Sequence, residues 1–166
     1  MTDLSFEEHH DDADPLDAVE LVLSSDQRPF ERADDEVHFA AQTQYCDLHG
    51  AFTWRPELPA LMFTLAFELK APRNRRGDIA LLITLLNETL WLGHFDLWSE
   101  DGAVVYRCAL PCIGRDAPEE GEVAAMLAAG LQAAERFYPA FNFLLWAGKS
   151  PEDAAQAVLF ETAGEA

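Results

Sequence analysis

The sequence predicts an α+β domain of two layers, a five-stranded antiparallel sheet with helices packed on one face. Three observations carry this. Residues 37–69 hold three runs in which every second residue is apolar, the period of half-buried strands. Two longer segments, near 73–90 and 119–148, place apolar residues three or four apart, the period of amphipathic helices. The links between strands are short, which favours antiparallel pairing.

The elements follow in order. Asp14-Pro15 opens a helix, with an acid at the cap and proline at the first helical position. Leu16, Val19, Leu21, Val22 and Leu23 supply its stripe, and Gln27-Arg28-Pro29 breaks it beyond Ser24. Val37, Phe39 and Ala41 then alternate with His38 and Gln42. Cys46, Leu48, Phe52 and Trp54 share one face of a second strand. Pro56-Glu57-Leu58-Pro59 turns the chain, because neither proline can donate to a ladder. Leu61, Phe63, Leu65, Phe67 and Leu69 make the third strand, which Ala71-Pro72 stops.

A helix follows from Arg73 or Gly77 to Leu90, with Ile79, Leu82, Ile83, Leu86 and Leu90 at helical spacing. Gly93 ends it. His94–Ser99 and Ala103–Leu110 form a hairpin about Glu100-Asp101-Gly102. Pro111–Pro118 is a loop. A long helix starts near Glu119, with Val123, Leu127, Leu131, Ala134, Tyr138, Phe141 and Leu145 on one stripe and a kink expected at Pro139. Gly148 stops it, and Ser150-Pro151-Glu152-Asp153 caps a last short helix. The order is α-βββ-α-ββ-α-α. Residues 1–14 read as a disordered acidic tail and residues 15–166 as one domain.

Charge excludes several partners. The 166 residues hold 30 acids and 11 bases, for a net charge of −19. Residues 1–36 alone carry 13 acids and 2 bases. Nucleic acid is not expected as a ligand, because binding it depends on Lys and Arg neutralising phosphates. Anionic membrane surfaces are disfavoured for the same reason, and the apolar run Ile79–Leu86 is too short to span a bilayer. No apolar segment follows a basic start at the N-terminus, so no secretory signal is expected. Three cysteines at spacings of no disulfide framework point to free thiols in a reducing cytoplasm.

Three stretches resemble one family. They are ETLWLGHFDLW at 88–98, ERFYPAFNF at 135–143, and WAGKS at 146–150 with the ending ETAGEA. Together with the element order, they are similar to the alphaproteobacterial branch of the YbjN-domain family over roughly Pro15 to Ala166. The resemblance implies a sensory transduction regulator with a fold similar to type III secretion chaperones, small acidic proteins that bind partner polypeptides. It implies no catalytic motif and no cofactor.

The residues themselves offer several candidate sites. His94 and Asp96 lie two apart on one strand face, either as a general acid and base or as a polar pair fixing the helix-to-strand corner. No nucleophile elbow accompanies them, so no enzyme activity is expected. Cys108 and Cys112 are separated by three residues, unlike redox or zinc spacings, and Cys108 and Cys46 read as buried core thiols. His9-His10-Asp11-Asp12 has metal-ligand types, but no fold to hold them, so no metal is expected.

Arg73, Arg75 and Arg76 cluster at a helix start, where cations oppose the helix dipole. They serve an anion or an acidic partner, or else pair with the chain's own carboxylates. Trp54, Trp91 and Trp98 are the aromatic residues that one sheet face has least room to hide, and are candidates for partner contacts with His94. The expected function is therefore a non-catalytic cytoplasmic protein that binds a partner polypeptide, with a homodimer through the central helix or a sheet edge as one arrangement. The alternative is a small-molecule sensor, its cavity between sheet and helices lined by Phe63, Phe67, Tyr106 and Phe141, with His94 as a polar handle.

Overall fold

The computed structural model describes residues 13–160. The expected disordered tail, except Ala13 and Asp14, the His9–Asp12 cluster and the ending 161–166 lie outside the described residues. Four helices, α1 (Asp17–Ser25), α2 (Arg76–Asn87), α3 (Glu120–Leu145) and α4 (Pro151–Phe160), accompany six strands. The strands are β1 (Phe30–Ala33), β2 (Glu36–Gln42), β3 (Asp47–Arg55), β4 (Ala60–Lys70), β5 (His94–Leu97) and β6 (Ala103–Pro111). They form one sheet in the order β1-β2-β3-β4-β6-β5, with every pairing antiparallel. After β4 the chain builds α2, returns at the far edge as β5, and turns back to set β6 beside β4.

The sheet thus has six strands, not five. The additional strand, β1, pairs Phe30 with Phe39 and Ala33 with Glu36. Three of its four residues are exposed, so no alternation marks it. Its turn uses Asp34 at φ 50° and Asp35, without the glycine that signals such hairpins. Pro29, which reads as a breaker, stands just before an edge strand, where proline is tolerated.

Smaller boundaries also move. Asp14 Oδ1 accepts from Leu16 N–H at 3.0 Å, so the acid caps the turn that leads into α1. Of the apolar stripe expected there, Leu21 alone is exposed. A 3-10 turn at Arg73–Arg75 precedes α2, which ends at Asn87. Thr89 and Leu90 extend it only through single turn-type bonds to Leu86 O and Asn87 O, at 3.1 and 3.3 Å. β5 stops at Leu97, and Pro111, expected in a loop, closes the β6 ladder opposite Ala60. Helix α3 continues past Pro139 to Leu145.

One sheet face makes the core. Leu48, Phe52 and Trp54 of β3 stand beside Phe67, Phe63 and Leu61 of β4, all buried. Tyr106 and Cys108 of β6 continue these rows beside Leu65 and Phe63. Helix α3 lies over them and comes closest at Gly130, where a Cβ would stand 2.7 Å from Phe63 Cε1 and 3.0 Å from Tyr106 Cε1. A glycine there costs about 1 kcal/mol of helix propensity and gains the close approach of helix to sheet. The other face carries His38, Ala51, Thr64, Arg107 and His94 across neighbouring strands, half-buried or exposed.

Candidate functional site

One end of the sheet gathers most of the arginine cluster and two of the tryptophans. Four of the 11 bases stand at Lys70, Arg73, Arg75 and Arg76. The β4–β6 register shifts here: between Ala66↔Val105 and Lys70↔Ala103, β4 advances four residues while β6 advances two. Such an irregularity bends a strand and re-aims its side chains. Ala71 N–H donates to Gly102 O at 2.7 Å, and Arg76 Nη1 donates to Ser99 O at 2.7 Å. These bonds tie the β5–β6 hairpin, with Trp98 at its base, to the segment before α2. Arg75 reaches the other way. Its Nε meets Asp78 Oδ2 at 3.1 Å and its Nη2 donates to Leu144 O at 3.0 Å, in the last turn of α3. Trp146 follows that turn and is 81% exposed, while Trp98 is 43% exposed.

Only one of the three arginines therefore pairs with a carboxylate of its own chain. Arg76 spends its donors on backbone oxygens, and Arg73 is exposed with no partner among the described residues. Lys70 Nζ meets Asp101 Oδ2 at 2.9 Å, and this bond, with the Ala103 N–H, holds the Asp101 carboxyl below its usual range. Between the end of β4 and the end of α3 lies a groove of about 360 Å³. Leu69, Pro72, Tyr138, Leu145 and Trp146 give it apolar walls, and Glu68, Lys70 and Arg75 bring charge. Burial pushes the Tyr138 hydroxyl up, with smaller contributions from Cys46 and Glu68.

The remaining candidates are placed elsewhere. Trp54, expected at a partner contact, is 9% exposed and belongs to the core, because its strand face is the one the helices cover. Trp91 is 78% exposed at the α2–β5 corner, away from the arginines. His94 is exposed, and its side chain makes no hydrogen bond among the described residues. Asp96 is committed to Arg107 Nη1 at 3.0 Å and to Leu97 N–H at 2.9 Å. The pair does not fix the corner. Asn87 does so through Phe95, and Tyr106 Oη does so by donating to Leu92 O at 2.7 Å.

The four rings expected to line a cavity fill one another instead. Phe63 meets Tyr106 at 6.2 Å between centroids, Phe67 meets Phe141 at 5.8 Å, and all four are buried. His94 points to the opposite sheet face and cannot serve them. Cys108 and Cys112 are free and buried, with burial raising both thiols. Cys46, expected in the core, is only half-buried.

Two features escaped the sequence. Trp146 sits one residue past the apolar stripe of α3, and nothing local marks it as exposed. On the uncovered sheet face, His38 Nδ1 lies 3.3 Å from His49 Nε2, and His38 Nε2 lies 2.9 Å from Glu36 Oε2. That cluster depends on the β2–β3 register, which only the fold supplies. Among the described residues no three His, Cys, Asp or Glu side chains come together as metal ligands. No helix there is long and apolar enough to cross a membrane.

A family model described as "Putative bacterial sensory transduction regulator" matches residues 15–143. The chain belongs to the YbjN family. The match covers α1 through almost all of α3, so the Lys70–Arg76 segment lies inside it and Trp146 just beyond. A solved structure, "Crystal structure of YbjN, a putative transcription regulator from E. coli", is similar with a TM-score of 0.50 at 11% identity, covering 72% of this chain and 85% of that one. At that identity the likeness concerns the fold alone. No curated protein matches this YbjN-family chain.

Proposed function

We propose that this YbjN-family chain is a non-catalytic, chaperone-like regulator that acts in the cytoplasm by binding a partner polypeptide. The observation that carries this reading is the flanking of Arg73–Arg76 by two exposed tryptophans, Trp98 and Trp146. Tryptophan and arginine are the residues most enriched where binding energy concentrates. A folded chain gains little internally from leaving Trp146 in water and Trp98 partly so. Nucleic acid, membrane, metal and cofactor have no part in the reading.

Charge narrows the partner. The net charge of −19 repels acidic chains at a distance, whereas the local bases attract carboxylates. A partner that is basic overall, with an acidic and apolar docking segment, suits both.

The test uses purified protein immobilised against lysate of its own organism, beside a Trp98→Ala/Trp146→Ala variant of unchanged circular dichroism. The expected result is one protein retained in stoichiometric amount. Once purified, it should bind the variant at least about 30-fold more weakly, the loss typical of a hot spot. Equal retention by the variant, or no stoichiometric protein, overturns the reading.

A further inference from the structure

We infer that the groove between the end of β4 and the last turn of α3 binds an α-amino acid or a close apolar zwitterion. This goes beyond partner binding and does not rest on it. The volume of about 360 Å³ falls in the range of small-molecule sites, and their usual make-up, apolar walls with a few placed polar groups, is present.

Two charges of opposite sign line this space, Arg75 with part of its guanidinium unused and Glu68 with no partner among the described residues. Arg75 is held rigidly by Asp78 and by Leu144 O, through Nε and Nη2. Its Nη1 makes no hydrogen bond among the described residues, so the guanidinium keeps a donor for a carboxylate. Glu68 also lines the groove, and its carboxylate has no hydrogen bond or ion pair among the described residues. The register shift between Ala66 and Lys70 delivers this contact, because it takes Glu68 and Leu69 out of the regular ladder. Lys70, the other cation there, is occupied by Asp101.

The ligand's chemistry follows from these groups. A carboxylate meets Arg75 Nη1, an ammonium meets Glu68, and an apolar side chain lies against Leu145 and the Trp146 ring. A fatty acid would leave Glu68 repelling its own headgroup. A simple amine would face Arg75. A zwitterion satisfies both. Ligand on Trp146 also covers a ring that partner binding uses, so the two events compete.

Thermal unfolding of the purified full chain tests this without any partner, so its failure is separate from failure of the capture experiment. The probes are L-phenylalanine, L-leucine and L-tryptophan at 10 mM, with N-acetyl-L-phenylalanine and L-phenylalanine amide as single-charge controls. At least one free amino acid should raise Tm by about 3 °C or more, the size expected at roughly tenfold excess over Kd. Both controls should fall to less than half that shift. Glu68→Gln, an exposed substitution that keeps the fold, should abolish the shift. Trp146→Ala should reduce it. No shift from any of the three, equal shifts from the controls, or a full shift in Glu68→Gln overturns the assignment.

Discussion

The Asn87 side chain and the Phe95 backbone exchange two hydrogen bonds. Phe95 N–H donates to Asn87 Oδ1 at 2.7 Å, and Asn87 Nδ2 donates to Phe95 O at 3.0 Å. The last residue of α2 thus occupies the place of a further strand beside β5. Two residues on, Leu97 N–H is taken by Asp96 Oδ1 at 2.9 Å. An edge that would otherwise invite another chain is closed by side chains.

Asn87→Ala should therefore act twice. It leaves a backbone donor and acceptor at Phe95 without partners, a loss of about 1–3 kcal/mol in urea unfolding. It also frees the β5 edge, so light scattering should show more concentration-dependent association than the native chain gives. Unchanged stability and unchanged mass would contradict this role for Asn87.

Tyr106 gives the alkaline limb of stability. Burial raises its hydroxyl well above the ordinary tyrosine range, and the hydroxyl donates to Leu92 O at 2.7 Å. The fold holds the neutral form, while the unfolded chain ionises near pH 10, so the unfolded state binds fewer protons above that pH, and stability falls as pH rises past about 10. Tyr106→Phe should cost about 1–2 kcal/mol at pH 7 by orphaning the Leu92 carbonyl. It should also make the fall above about pH 10 shallower. Cys108, Cys112 and Tyr138, raised by burial as well, leave a residual slope. Parallel curves for the two proteins would show that Tyr106 does not contribute.

Trp54 and Trp91 should separate cleanly. Trp54 is core, so Trp54→Ala should cost about 3–5 kcal/mol. Trp91 stands in solvent at the corner, and Trp91→Ala should stay within about 0.5 kcal/mol. Urea midpoints for the two variants decide it. Similar losses would mean that the corner tryptophan packs more than its exposure indicates.

The elements that the sequence foretold are those with a period. β3 and β4 are nine and eleven residues of alternation, and α3 carries its stripe for seven turns, so each buries one face that the pattern names. β1 escaped because an exposed four-residue edge strand has no face to bury. Trp54 and Trp146 show the same limit at the site. Both are large rings at the end of an element, and only the packing of helices over the sheet tells that one is covered and the other is not. The arginines were visible as a cluster. Their sorting into one paired with a carboxylate, one bound to carbonyls and one open to solvent depends on contacts with Leu144, Ala71 and Ser99, which no local pattern encodes.

The most direct test is a photoreactive residue in place of exposed Ala147, beside Trp146, in living cells. Crosslinking should give one discrete adduct with a single partner protein. The same residue in place of Glu57, at the other end of β4 roughly 33 Å away along the strand, should give none. No adduct at position 147, or the same adducts from both positions, would contradict a docking surface built on Trp98, the arginines and Trp146.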